Sequence, residues 1–192
     1  MGLAIERHSG PWTPSDVEKL AESGDHSRYE LLTPGVLTVS PAPGTVHQRA
    51  SRRLANLLEA AATDAGQDVE VLEAVNIETA DGRLAVPDVA IVRGEVADRN
   101  PVRYPTGSVL LVAEIVSPGS EPQDRFIKPR LYAAAGVSAY WRFELDGAPR
   151  IVVHTLDADG QFAATATLLA GTVTTVDAPF PINVDPGLLV IR

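Results

Sequence analysis

The segment Val109–Val116 reads VLLVAEIV, an apolar run that is interrupted by a single carboxylate. A run of this length and composition, ended by Ser117 and Pro118, is typical of a strand that is covered on both faces. Such a strand needs further secondary structure packed on each side, and this chain contains patterns of both helix and strand. The sequence therefore predicts an α/β or α+β fold with layered elements.

Helical and strand patterns alternate along the chain. Thr13 and Pro14 are typical of a helix start, and apolar residues recur at helical spacing over 46–65. A further helix is expected at about 126–135. Strands are expected over most of the remainder, at 29–32, 36–40, 69–79, 84–92, 109–116, 138–145, 150–156, 161–169 and 172–176.

Length and composition limit the class of protein. The 192 residues contain no repeat and no long linker, which predicts one domain over 1–192: a helix and hairpin at 13–40, a core at 46–145 and C-terminal strands at 150–191. No signal peptide or membrane span is recognisable, so we expect a cytoplasmic protein without a membrane partner. The net charge of −9 disfavours a general nucleic-acid coat. Without cysteine, any bound metal is expected to be a hard ion held by oxygen.

Two carboxylates lie in apolar strands. Asp88 belongs to the segment 86–92, and Glu114 lies near the end of 109–116. If the loop at 93–108 joins these strands as an antiparallel pair, Asp88 lies opposite Glu114 within one residue. Facing Cβ atoms are then about 5 Å apart. Two carboxylates so close repel each other unless one is protonated or a cation lies between them, and Mg2+ would fit that gap.

A structural explanation exists for each acid alone. Asp88 could cap a strand after Pro87, and Glu114 could point outward past the end of the sheet. Their expected position opposite each other favours a site.

The helix after Glu114 should lie over the same region. It carries Lys128, one of two lysines in the chain, which could orient an attacking water or stabilise a phosphate transition state, or could be a surface residue. Tyr132 lies one helical turn further and could line the site or simply pack. Because Pro129 follows Lys128, the helix is expected to start no earlier than about Phe126.

Each of the other polar residues allows two interpretations. His47 faces the sheet from the long helix, either as a hydrogen-bonded core histidine or as a pocket residue, and Glu30 could be a third carboxylate or a cross-strand partner of an arginine. A basic face of the long helix could be solvated or could contact phosphate; it consists of Arg49, Arg52 and Arg53.

An ordered set of motifs from about residue 13 to residue 190 resembles the Uma-two family of restriction endonuclease-like proteins, within the PD-(D/E)XK nuclease superfamily. The motifs are Tyr29-Glu30-Leu31, Ser40-Pro41-Ala42-Pro43, His47-Gln48-Arg49, Val86-Pro87-Asp88-Val89, Glu114-Ile115-Val116-Ser117-Pro118, Asp124-Arg125 with Lys128, Leu131-Tyr132-Ala133, Gly136-Val137 and Tyr140-Trp141.

The resemblance implies a restriction-endonuclease-like core, with a mixed sheet of four to five strands flanked by helices. It also implies that Asp88 and Glu114 bind Mg2+ or Mn2+ and that Lys128 is a migrated catalytic lysine. Val116 occupies the position where the wider superfamily has that lysine. Glu30 and His47 match family positions that line the same pocket.

These observations lead to a metal-dependent endonuclease that hydrolyses DNA as the first hypothesis. DNA binding is expected to be weak and metal-assisted, with a basic rim that includes Arg125, and a homodimer is expected. Two alternatives stay open: a catalytically idle binding module with the same fold, and a hydrolase of small phosphodiesters.

Overall fold

The computed structural model describes residues 5, 8–22 and 27–191. Its helices are α1, α2, α3 and α4, and they span Pro14–Ala21, Thr45–Asp64, Gly94–Ala97 and Lys128–Ala134. Strands β1 to β7 span Arg28–Thr33, Val36–Ser40, Val69–Glu73, Asn76–Glu78, Leu84–Ala85, Val89–Arg93 and Arg103–Pro105. Strands β8 to β13 span Val109–Val116, Ala139–Glu144, Arg150–Leu156, Phe162–Leu169, Thr174–Val176 and Ile182–Val184.

The central sheet has six strands in the order β11-β10-β9-β8-β6-β3. It is mixed, because β8 and β9 are parallel and the other neighbours are antiparallel. The expectation of four to five strands in this sheet is therefore wrong by at least one strand. A second sheet has the order β2-β1-β5-β4-β7, and β12 pairs with β13.

Helices cover the central sheet on both faces. On one face α2 buries Leu54 and Leu58 against Leu111 and Trp141. On the other face α4 places Tyr132 beside Val112 and Tyr140 in a separate apolar cluster. The β8 strand is accordingly buried along almost its whole length, as its apolar sequence predicts.

Two local predictions are confirmed: the helix start at Thr13 and Pro14, and the hairpin within 13–40. The α1 helix starts with a capping box, in which the side chains of Thr13 and Asp16 each bond to the other's backbone amide. The hairpin between β1 and β2 turns at Gly35, whose φ of 74° is a left-handed value that glycine adopts without strain. Gly66 follows α2 with a φ of 62°.

The two strands expected at 69–79 and 84–92 are each broken. The first divides at Ala74, whose φ is 53°, into β3 and β4, and the second divides at 86–88 into β5 and β6. As a result β3 and β6 pair in the central sheet, whereas β4 and β5 pair in the second sheet. The break in the second strand places Asp88 where the chain leaves one sheet and enters the other.

No helix within the described residues is both long enough and apolar enough to span a membrane.

Candidate active site

Four carboxylates converge beside the carboxyl end of β8. Glu30 comes from β1, Asp88 directly precedes β6, Glu114 belongs to β8 and Asp124 belongs to the turn before α4. Each residue is 3% exposed or less. All four line one cavity of about 230 Å³, which we call the acid cavity, and residues of the segments 40–44 and 117–120 also line it.

Lys128 lies among these carboxylates and is itself 3% exposed. Its Nζ is 3.0 Å from Glu30 Oε1, 3.1 Å from both carboxylate oxygens of Glu114 and 3.7 Å from Asp124 Oδ1. Burial would lower the pKa of Lys128, but the negative charges of Glu114 and Glu30 outweigh it and raise that pKa. The lysine is therefore a fixed positive charge in the cavity.

Glu114 is held by two donors from the same helix. Besides Lys128, Tyr132 Oη donates a hydrogen bond to Glu114 Oε1 at 3.1 Å. Burial raises the pKa of Glu114 well above its usual value, and the neighbouring charges of Asp124 and Asp88 raise it further. Glu114 consequently retains a proton to higher pH than an ordinary glutamate does.

Asp88 is held in the opposite way, as a carboxylate. Its Oδ2 accepts a hydrogen bond of 2.7 Å from the backbone N–H of Ile115 and lies 3.1 Å from His47 Nε2, while its Oδ1 lies 2.8 Å from Arg28 Nη1. Burial would raise the pKa of Asp88, but the bond from His47 and the charge of Arg28 lower it to about 2. Two neighbouring acids thus differ in their protonation.

The strand register explains why these acids meet. Val89 pairs with Ala113 in the antiparallel β6–β8 ladder, so the preceding Asp88 lies next to Glu114. The sequence-based prediction of this register is confirmed.

The chain before α4 is helical from residue 121 and includes a π-helical turn over Gln123–Ile127. The expectation that Pro129 delays the helix start to about Phe126 is therefore wrong. In a regular α-helix the proline ring would meet the carbonyl four residues earlier, and the wider turn directly before Pro129 avoids this. The same turn leaves Asp124 and Lys128 both facing the acid cavity.

The structure does not bring every residue of the predicted site to the cavity. Arg49 and Arg53 donate to the carbonyls of Val190 and Leu188, so they hold the C-terminal segment. Arg52 is exposed on α2 and does not line the acid cavity. Arg125 bonds to Glu144 at 2.6 Å, on another side of its helix.

Two charged residues that line the acid cavity were not among the predicted site residues, although the family motif quoted above contains Asp124. Asp124 is four residues before Lys128, a spacing that places both on one helix face. Arg28 is two residues before Glu30 in β1, a spacing that places both on one face of the strand. These spacings were the available signals, and both become informative only when the partner residue is known to lie in the site.

Charge and donor chemistry in the acid cavity fit a hard divalent cation. Four carboxylates face two permanent cations, Lys128 and Arg28, so full ionisation would leave an excess of two negative charges. Within the described residues, however, no three histidine or acidic side chains are arranged to hold a metal ion. The ammonium of Lys128 already lies between Glu30 and Glu114. A cation held by Asp88 and Glu114 would therefore keep water as its other ligands, as Mg2+ commonly does.

The pKa of Asp124 leads to a prediction about stability. Burial raises this pKa to about 6, from an ordinary value of 3.8. The folded protein therefore binds more protons than the unfolded chain between these values, and the free energy of unfolding falls as the pH rises through this window, by up to about 3 kcal/mol. We expect Asp124→Asn to gain melting temperature relative to the wild type at pH 7.5 but not at pH 4. An equal shift at both pH values in cation-free buffer would contradict this expectation.

Comparisons with known proteins identify the fold and the family of the chain. A solved structure from Anabaena variabilis ATCC 29413, described as "a putative nuclease belonging to DUF820", superposes with a TM-score of 0.69 at 14% identity. The alignment covers 94% of this chain and 100% of that one. This likeness shows the fold, which is of the restriction-endonuclease-like kind.

The sequence also identifies the family of the chain. Residues 14–189 match the profile of Uma2, described as "Putative restriction endonuclease", and the chain belongs to this family. No match was found among curated proteins.

Proposed function

We propose that the protein is an endonuclease that hydrolyses DNA phosphodiester bonds with the help of Mg2+ or Mn2+. The observation that carries this proposal is the buried pair Asp88 and Glu114, with Lys128 held 3.1 Å from Glu114 in an open cavity. Membership of a nuclease family supports it.

The residues of the acid cavity have separate roles in this proposal. Asp88 and Glu114 would hold the cation, which supplies Lewis-acid chemistry to the phosphate and lowers the pKa of a bound water. Arg28 and His47 keep Asp88 ionised and oriented, and Tyr132 orients Glu114.

Lys128 would stabilise the negative charge that develops on the phosphate, because its ammonium is buried, charged and already directed into the cavity. Glu30 fixes the position of Lys128: its Oε1 lies 3.0 Å from that ammonium and also accepts a bond from the backbone N–H of Val86.

A cleavage assay tests the proposal. Supercoiled plasmid and single-stranded DNA are incubated with the protein in Mg2+, in Mn2+ and in EDTA. Cleavage that requires the divalent ion is the expected result. A protein that binds the ion by calorimetry but cleaves no DNA would support the idle binding module. Turnover of a model phosphodiester without any DNA cleavage would support the small-substrate hydrolase.

The proposal also retains one domain over 1–192, a cytoplasmic location and a homodimer. Leu188 and Ile191 expose more than half of their surface, whereas Leu189 is buried in the core, so only part of the C-terminal apolar run is accessible to a second copy. Light scattering at several concentrations tests the dimer, and a constant monomer mass would contradict it.

A further inference from the structure

A second cavity of about 240 Å³ uses other residues of the helix that carries Lys128. Asp124 and Lys128 face the acid cavity, whereas the residues directly after them, Arg125 and Pro129, face this second cavity together with residues of β9, β10 and β11. We call it the arginine pocket, and the lining residues used below are Arg125, Phe126, Arg130, Arg142 and Phe162.

The arginine pocket is positively charged within a chain of net charge −9. Three arginines line it and no carboxylate does. The buried Glu144 accepts from Arg125 at 2.6 Å and from Arg142 at 2.7 Å, which fixes both guanidinium groups, and Glu121 lies 3.6 Å from Arg125. Arg130 is exposed, and within the described residues it forms no ion pair. The Nε of Arg125 is buried without a hydrogen-bond partner.

Aromatic side chains complete the arginine pocket. Phe126 is 62% exposed although it lies next to the buried helix face. Phe162 lies on β11, stacked on Tyr140 with ring centroids 5.7 Å apart. An exposed phenyl ring beside guanidinium groups is the combination that binds an unpaired base and its phosphate, because bases stack on aromatic rings and phosphates pair with arginine.

We propose that the arginine pocket binds one nucleotide unit of the substrate strand, its phosphate at the arginines and its unpaired base on Phe126. This inference rests on the proposed function and adds a preference for unpaired DNA. A helix with its side chains is about 10–12 Å across. One DNA strand that crosses the helix carrying Lys128 therefore reaches both cavities. A base in an intact duplex is already stacked on its neighbours and is not free to stack on Phe126.

Binding without metal tests this inference independently of cleavage. Fluorescence anisotropy measures the affinity for a labelled single strand of about 12 nucleotides, in EDTA at low salt. We expect Phe126→Ala to weaken binding about tenfold. Arg130→Gln should lower the slope of log affinity against log salt by about 0.7, the value of one phosphate contact to a single strand. The matched controls Val102→Ala and Arg99→Gln change exposed residues outside the pocket and should bind as the wild type does.

The possible results separate the two proposals. Wild-type-like binding by Phe126→Ala and Arg130→Gln would overturn the arginine pocket, even if DNA is cleaved. An affinity for a duplex of the same length that equals the affinity for the single strand would also overturn it. So would an equal affinity for free dAMP, since the pocket would then bind mononucleotides. The expected binding pattern without any cleavage would uphold the pocket and contradict the nuclease alone.

Discussion

Glu114→Gln should lower metal-dependent DNA cleavage by about a thousandfold or more. The substitution keeps the volume of a buried side chain but removes the charge that a divalent cation requires, and cation catalysis contributes several kcal/mol to such reactions. Asp88→Asn should have an effect of similar size, because one amide oxygen cannot accept from Ile115 and Arg28 and also bind a cation.

The measurement is the initial rate of plasmid nicking in Mg2+ and in Mn2+, with purified variants of equal melting temperature. Glu70→Gln is the matched control, because Glu70 is exposed on β3 and does not line the acid cavity. Its rate should equal that of the wild type. Nicking that persists in both Glu114→Gln and Asp88→Asn would show that another protein or another site cuts the DNA.

The second large effect concerns stability. Lys128→Met should lower the free energy of unfolding by about 3–5 kcal/mol at neutral pH, because removal of one partner leaves buried charge without compensation. Lys128 is the shared partner of Glu30, Glu114 and Asp124. The loss should be smaller at pH 5, since the pKa of about 6 of Asp124 means that this acid is then mostly protonated and no longer needs the ammonium as a partner.

Urea denaturation at pH 7 and at pH 5 measures this effect. The only other lysine provides the control: Lys19 is exposed and lies 3.7 Å from Asp16, so Lys19→Met should change stability by less than about 0.5 kcal/mol. If Lys128→Met costs no more than Lys19→Met, the ammonium does not compensate the buried acids, and the electrostatic description of the cavity is wrong.

The pair Asp88 and Glu114 could be predicted from the sequence because the register of two neighbouring strands can be counted along the chain. Two apolar segments joined by a loop pair antiparallel, and counting back from their facing ends brings the two acids together. Lys128 and Tyr132 followed from their place in the next helix. The order of motifs also indicated the family and hence the layered fold.

The break of two long strands could not be predicted in this way. The apolar pattern continues through Ala74 and Val86, so it gives no sign that the chain passes from one sheet to another there. The π-helical turn was also missed, because Pro129 suggests a later helix start rather than a wider turn. Arg49 and Arg53 suggested a DNA contact, but their partners are carbonyls of the C-terminal segment, more than 130 residues away in sequence.

The negative net charge of the protein is compatible with a DNA substrate because its charged residues are unevenly distributed. Acids are concentrated in the acid cavity, where a bound cation would reverse the local charge, and arginines are concentrated in the neighbouring pocket. DNA binding should therefore be weak, sensitive to salt and strengthened by the divalent ion.

A crystal soaked in Mn2+ tests the central claim most directly. The account predicts an anomalous difference peak in the acid cavity, bonded to carboxylate oxygens of Asp88 and Glu114, with Lys128 displaced from Glu114 or retained at its edge. An empty cavity at saturating Mn2+, with Lys128 still bonded to both oxygens of Glu114, would contradict a metal-dependent nuclease at this site.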